Sequence, residues 1–413
     1  MVIDSLKYNG LCSCGKEHIM ETSFSVVQSG CLKNINEYLA QFNLTGFTVA
    51  VYDKNTYAPT SDRHPKVDFE VILEPTDLHA NEHGVELLEK ALPENIDLLL
   101  AIGSGTVHDI VRYCAYQRKI NFVSCPTAAS VDGFCSSVAA MTWHGCKKTL
   151  QAVAPKIVVA DIDIIKAAPI RLAKSGFGDM VGKYVALTDW KIASIIKNEF
   201  YCDRIYQMTL EATRAVVNSI DGIINGVDSA YENLMYGLLL SGLAMQMMGN
   251  SRPASGAEHH ISHIIEMSPK PLDVSSDALH GEKVGVGTLL AIEEYQRICK
   301  SNPTFSDYKE FPVSLISEVF GTEMSNEIIA ENKKDAASGI TKEILLANWQ
   351  KICDEVSKMP QIDSLKKLYN DFGIKSQLTD IGVQNEKANV LRDFSPMVRN
   401  RLTLMRLRKC FEL

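Results

Sequence analysis

The amino-acid sequence predicts an α/β N-terminal domain built on a parallel sheet, followed by an all-helical C-terminal domain. Three observations carry this. Up to about residue 165, short β-rich or apolar runs alternate with helix-period segments, and that alternation implies strand–helix–strand units paired in parallel. Some runs are apolar almost throughout, as at 96–103, which is expected of a strand covered on both faces. From about Lys166 the texture changes to long segments striped with Ala, Leu, Met and Ile, such as Met180 to Lys197 and Tyr206 to Ile224. The expected domains are therefore 1–165 and 166–413.

The elements follow in order. Residues 46–53 form a short β-rich run ending in an acid, Asp53. The run 96–103 ends in glycine, and the segment after it carries Val107, Ile110, Val111 and Ala115 on one helical face. Residues 121–126 give the next strand, two β-like runs flank a His144-Gly145 turn as a hairpin, and 156–161 gives a further strand. In open sheets of this kind, ligands bind outside the carboxyl ends of the strands. The expected cleft is where the helical domain faces those ends.

Composition narrows the function classes. With 413 residues, 46% of them hydrophobic, the chain can bury a core for two domains. A net charge of -8 argues against nucleic acid or an anionic membrane as the main partner, while a small phosphorylated substrate needs only a few local donors. The N-terminus has no apolar leader-like run, and no stretch approaches the ~20 residues of a spanning helix. Eleven cysteines, an odd number scattered through strands and helices, read as reduced thiols of a cytoplasmic protein. Cys12, Cys14 and His18 lie close enough in sequence to hold zinc, but no fourth ligand is visible, and a local turn is the preferred reading. The arginines between Arg392 and Arg408 read as a solvated helix face in preference to an anion site.

Chemistry concentrates in four segments. In Gly103-Ser-Gly-Thr-Val-His-Asp109, glycines let the backbone approach a diphosphate, and the following helix offers unpaired N–H groups. It departs from the GxGxxG fingerprint because Asp109 stands where the third glycine would be, and an ordinary strand–helix turn is the alternative. The segment 125–136 is crowded with hydroxyls, so Thr127, Ser130, Asp132 and Ser136 are placed to touch cofactor or substrate, and Asp53 to take ribose hydroxyls. His259 and His263 lie one helical turn apart on one face, whereas His260 is rotated by about 100° and should face elsewhere. With His280 and the lone carboxylate Asp179 these imidazoles supply a donor set for a catalytic divalent metal. The plainer readings are an accidental HxxxH pair and a helix N-cap at Asp179.

Gly103-Ser-Gly-Thr-Val-His-Asp109, Pro126-Thr-Ala-Ala-Ser-Val-Asp-Gly133, Gly178-Asp179, Ser251-Arg-Pro-Ala-Ser-Gly-Ala-Glu-His259 and His280-Gly-Glu-Lys283 together resemble the superfamily of glycerol dehydrogenases, iron-containing alcohol dehydrogenases and dehydroquinate synthases. Within it the chain is most similar to sn-glycerol-1-phosphate dehydrogenases of bacterial type. The resemblance implies a Rossmann-like sheet domain and a helical domain in the dehydroquinate synthase-like arrangement. It implies that Asp179, His259 and His280 bind the metal. Gly105, Thr106, Val107, His108, Asp109, Thr127, Ala128, Ala129, Ser130 and Ser136 would bind NAD or NADP, with Asp53 on the adenosine ribose. Asp132, Asp179 and His263 would contact substrate. Lys183 stands where iron-type alcohol dehydrogenases carry a further histidine ligand, so zinc or nickel on three protein ligands is expected. Dehydroquinate synthases use glutamate in place of Asp179, which counts against that chemistry.

The expected reaction is reversible NAD(P)H-dependent reduction of dihydroxyacetone phosphate to sn-glycerol 1-phosphate by a metal-dependent homodimer. Asp179 and His263 would act at the reacting centre, the histidine as a proton donor with a pKa near neutrality. Arg252, Ser255 and Lys183 are the candidate phosphate donors. A metal-dependent dehydrogenase of unphosphorylated glycerol is the competing reading.

Overall fold

Strand formation follows the apolar runs. In a computed structural model, which describes residues 1–412, the strands are β1 (Val2–Asp4), β2 (Gly10–Leu11), β3 (Glu17–His18), β4 (Phe24–Gln28), β5 (Thr48–Asp53), β6 (Phe69–Leu73), β7 (Leu98–Gly103), β8 (Asn121–Pro126), β9 (Val138–Trp143), β10 (Cys146–Gln151), β11 (Ile157–Asp161), and a short antiparallel pair, β12 (Thr304–Phe305) and β13 (Phe411–Glu412), so the C-terminal segment is not wholly helical. The helices used below are α1 (Ile35–Gln41), α2 (Lys54–Tyr57), α3 (Glu82–Ala91), α4 (Gly105–Arg118), α5 (Ile162–Ala167), α6 (Ile170–Val181), α7 (Lys183–Lys197), α8 (Asp203–Asn218), α9 (Ile220–Ile224), α10 (Asp228–Met248), α11 (Ala257–Met267) and α12 (His280–Lys300). Shorter and later helices complete the C-terminal segment.

The chain gathers into two compact units that alternate along the sequence. One comprises Met1–Trp143, Lys147–Met180 and Glu211–Asn250; the other comprises His144–Cys146, Val181–Leu210 and Ser251–Leu413.

The first unit holds a seven-stranded sheet in the order β1-β4-β11-β8-β7-β5-β6. All neighbours pair in parallel except β1, which runs antiparallel to β4 at the edge. Alternation along β7 explains its unbroken apolar run. Leu99 and Ala101 face the layer with Leu88 of α3 and Val107, Ile110 and Val111 of α4. Leu98, Leu100 and Ile102 face Ile35 and Leu39 of α1 on the other side. Both faces are core, so period-two polarity has no place to appear. The predicted strands over 46–53, 96–103, 121–126 and 156–161 are β5, β7, β8 and β11, and the predicted hairpin is β9 and β10. β1, β4 and β6 were not anticipated.

Strand order reverses between β5 and β7: the chain leaves β5 to one side for β6, then returns to β7 on the other. Such a switch point opens a crevice at the strand carboxyl ends. Asp53 and Gly103 stand at those two ends.

In the second unit, α11 and α12 pack against each other. A Cβ on Gly287 would sit 2.6 Å from the Glu258 carbonyl oxygen, so only glycine lets the two helices approach this closely. Asp189 of α7 ties the start of α11 down by accepting from the Ala257 N–H at 2.9 Å, the Leu404 N–H at 2.8 Å and the Tyr295 hydroxyl at 2.8 Å. Burial raises this carboxyl to about 7. The arginines of the C-terminal segment are not a solvated face. Arg406 is 1% exposed and is paired bidentately with Asp335, and it also donates to the Arg399 carbonyl. Ion pairing with buried acids removes these arginines from solvent.

Candidate metal centre and cofactor crevice

In the first unit, β7 ends and α4 begins with no side chain capping the helix: Ser104 is the N-cap residue and makes no side-chain cap bond. The leading N–H groups of this helix and its positive end are therefore left for an anion. Gly105, Thr106, Val107, His108 and Asp109 form its first turn and a half. Two of them have structural tasks. The His108 ring is buried, with its nitrogens engaged by the Ser104 carbonyl at 3.0 Å and the Ser124 hydroxyl at 2.8 Å. Burial lowers its pKa to about 3, so it is a neutral clip between loop and strand. Asp109 pairs at 3.0 Å with Arg112, and Arg112 in turn donates to the carbonyls of Phe134 and Val138, both at 3.0 Å. Arg112 thus shapes the hydroxyl-rich loop.

That loop is anchored to the crevice as well. The Thr127 N–H donates to the Gly103 carbonyl at 3.0 Å, and the Ser175 hydroxyl to the Ser130 carbonyl at 3.2 Å. Ala128 and Ala129 are buried beneath it. The Ser136 hydroxyl accepts from the Val138 N–H at 3.1 Å. Across the switch point, Asp53 N-caps α2 with a reciprocal Thr56 contact, and the Thr56 hydroxyl reaches the Ile102 carbonyl at 3.1 Å.

Asp179 is inside α6, not an N-cap, which corrects the plainer reading of that residue. It is fully buried, and its carboxylate accepts from the Asp132 N–H at 3.0 Å. The Asp132 side chain accepts from the Ser241 hydroxyl of α10 at 2.7 Å. The Asp132 loop and the Asp179 carboxylate are thereby fixed to one another.

The histidines come together in the second unit. Ring centroids of His259 and His280 lie 5.3 Å apart, His259 and His263 5.9 Å, and His263 and His280 6.2 Å. Each ligand candidate has a carboxylate behind it: Glu258 Oε1 stands 2.6 Å from His259 Nδ1, and Glu266 Oε1 stands 2.8 Å from His280 Nδ1. A carboxylate on Nδ1 fixes the tautomer in which Nε2 is the lone-pair donor, the arrangement typical of metal-binding imidazoles. Two imidazoles so prepared suit a divalent first-row metal. Glu258 and Glu266 were missed in the sequence; the adjacency of Glu258 to His259 was the only available signal.

His260 faces elsewhere, as expected; it is fully buried, and its ring nitrogens have no hydrogen-bond partner. His263 differs from expectation. Burial first, then the charge of Arg399, push its pKa well below the usual histidine value, so it does not titrate near neutrality. Its Nδ1 is buried without a partner. The candidate phosphate donors fare differently too. Arg252 is paired with Glu199 at 2.7 Å and donates to the Leu402 carbonyl at 2.7 Å, and Lys183 Nζ donates to the Ala254 carbonyl at 3.1 Å. Both brace the approach to α11.

A family model described as iron-containing alcohol dehydrogenase matches residues 26–169. The chain is 44% identical over 239 residues to a glycerol-1-phosphate dehydrogenase [NAD(P)+] of Geobacillus thermodenitrificans, covering 58% of each chain. It is 36% identical over 296 residues to one of Halalkalibacterium halodurans, covering 69% of this chain and 74% of that protein. The chain spans between 52% and 59% of the length of five Geobacillus and Bacillus relatives that match it at 39–44% identity. A solved structure of a probable glycerol dehydrogenase from Sinorhizobium meliloti 1021 shares the fold at a TM-score of 0.64 and 17% identity, covering 94% of each chain. On its 36% identity across nearly three quarters of the Halalkalibacterium halodurans protein, the chain belongs to the glycerol-1-phosphate dehydrogenase family.

Proposed function

We propose that this protein catalyses the reversible NAD(P)H-dependent reduction of dihydroxyacetone phosphate to sn-glycerol 1-phosphate, with Asp179, His259 and His280 holding a zinc or nickel ion. The observation that carries the metal part is the pair of carboxylates on the Nδ1 atoms of His259 and His280. When bound, the metal supplies Lewis acidity to the C2 carbonyl, and the nicotinamide supplies the hydride. The pyrophosphate of the nucleotide suits the uncapped N-terminus of α4, and Thr127, Ser130 and Ser136 line the loop beside it. Gly105 to Asp109 would meet the cofactor through main-chain N–H groups, since the His108 and Asp109 side chains are otherwise engaged. Asp53 keeps one carboxylate oxygen beyond its capping bonds for a ribose hydroxyl.

The chain's own residues then handle position and protons. Asp132, held by Ser241 and by the Asp179 contact, orients the substrate hydroxyl. His263 moves the proton that the C2 oxygen needs. For the substrate phosphate, Ser255 remains the candidate donor, since Arg252 and Lys183 are otherwise engaged. A homodimer remains part of this reading on family resemblance.

The test is NADH oxidation with dihydroxyacetone phosphate against dihydroxyacetone, which share the reacting carbonyl. Charge-assisted contacts to phosphate contribute roughly 1.5–3 kcal/mol each, so the phosphorylated ketone should be favoured by about 100-fold or more in kcat/KM. Equal rates for the two ketones would instead support a polyol dehydrogenase.

A further inference from the structure

A second cluster of metal-ligating side chains lies outside the catalytic centre and takes no part in the reaction above. Cys12, Cys14 and His18 sit on the β2–β3 hairpin, whose strands are two residues each. Strands that short do not hold a hairpin by themselves. The connecting turn is nonetheless well defined: the Cys12 N–H donates to the Lys16 carbonyl and the Gly15 N–H to the Cys12 carbonyl, both at 2.9 Å. Gly15 has a φ of +84°, a left-handed conformation that follows directly from the residue after Cys14 being glycine.

The side chains converge in a manner that suits a metal. His18 is 1% exposed, and its Nδ1 is 2.8 Å from the carbonyl of Met247 at the end of α10. That bond assigns the proton to Nδ1 and leaves Nε2 as the lone-pair donor. Cys14 Sγ lies 3.4 Å from this Nε2. Two tetrahedral zinc ligands at ~2.3 Å for sulfur and ~2.0 Å for nitrogen are separated by about 3.5 Å, so the pair already stands at ligand–ligand spacing. Cys12 is buried at the start of the same turn.

We propose that Cys12, Cys14 and His18 hold a zinc ion. Two thiolates and one imidazole are donors that zinc favours. Soft sulfur donors select zinc over magnesium or calcium, in contrast to the carboxylate-bearing catalytic set. On binding, the two thiols give up their protons to solvent, so retention of the ion weakens as pH falls. The ion anchors the N-terminal hairpin, which the sequence alone presented as a local turn.

Cobalt(II) replacement of the metal in the full-length protein tests this without any variant. Sulfur-to-cobalt charge-transfer absorption is expected, because the catalytic set contains no sulfur. The absorption should persist in Asp179→Asn, which separates this site from the catalytic one. It should weaken in Cys12→Ser and Cys14→Ser, with zinc content falling by about one equivalent per chain. Absence of sulfur-to-cobalt absorption in protein whose eleven cysteines all titrate as thiols would overturn the site. Fewer titratable thiols, restored by reductant without zinc uptake, would overturn it in favour of a disulfide. An unchanged band in Cys14→Ser would overturn the site.

Discussion

The histidines proposed as ligands owe their chemistry to neighbours more than to themselves. Glu258 and Glu266 each back one ring at 2.6 and 2.8 Å, so Glu258→Gln and Glu266→Gln should weaken metal affinity by 10- to 100-fold while leaving the fold intact. Alanine at Asp179, His259 or His280 should remove metal and activity together, and His260→Ala should spare both; metal analysis beside a rate assay reads this out. His108 gives a pH signature. Its folded pKa of about 3 lies below the unfolded histidine value of 6.5, so the unfolded chain binds the proton first as pH falls. Its contribution to stability is therefore intact above about pH 6.5 and lost progressively toward pH 3. The slope it adds is at most ~1.4 kcal/mol per pH unit. Urea midpoints of wild type and His108→Gln across this range should diverge in slope, and parallel curves would contradict a buried neutral ring. At this scale the sequence displayed the metal-ligating residue types and their helical spacing. It hid Glu266, fourteen residues from its partner, and the burial that strips His263 of its near-neutral pKa, because both arise from tertiary packing.

At the scale of elements, strands with both faces covered were legible, since their apolar runs are continuous and glycine or proline ends them. β4 escaped notice because its sequence, Phe24-Ser-Val-Val-Gln28, has only a short apolar centre. Its strand character comes from pairing with β11, which no local pattern reports. The pairing order also explains why Asp53 matters. β5 and β7 flank the switch point, and the acid ending β5 caps α2 through Thr56. A carboxylate there favours a ribose hydroxyl and repels a 2′-phosphate, so the wild type should favour NAD. Asp53→Gly should move the preference toward NADP at a capping cost of only a few tenths of a kcal/mol. Steady-state kinetics with both cofactors decide this: a tenfold wild-type preference for NADPH would remove Asp53 from the ribose.

For the whole molecule, the change of texture near residue 165 follows the last sheet strand, β11, which ends at Asp161. The compact units themselves alternate, with Lys147–Met180 and Glu211–Asn250 joining the sheet-bearing unit. Helix periodicity marks a segment as helical without stating which core it serves, so membership was not readable from the pattern. No described helix is long and apolar enough to cross a membrane. The residues proposed for the cofactor lie within the sheet-bearing unit, while the paired histidines and their carboxylates belong to the other. The central claim is the reaction itself, on a phosphorylated ketone. The most direct measurement is the configuration of the glycerol phosphate formed from dihydroxyacetone phosphate and NADH by the metal-loaded protein. The account predicts sn-glycerol 1-phosphate as the product. Formation of the sn-3 enantiomer, or no glycerol phosphate at all from metal-loaded protein, would contradict it.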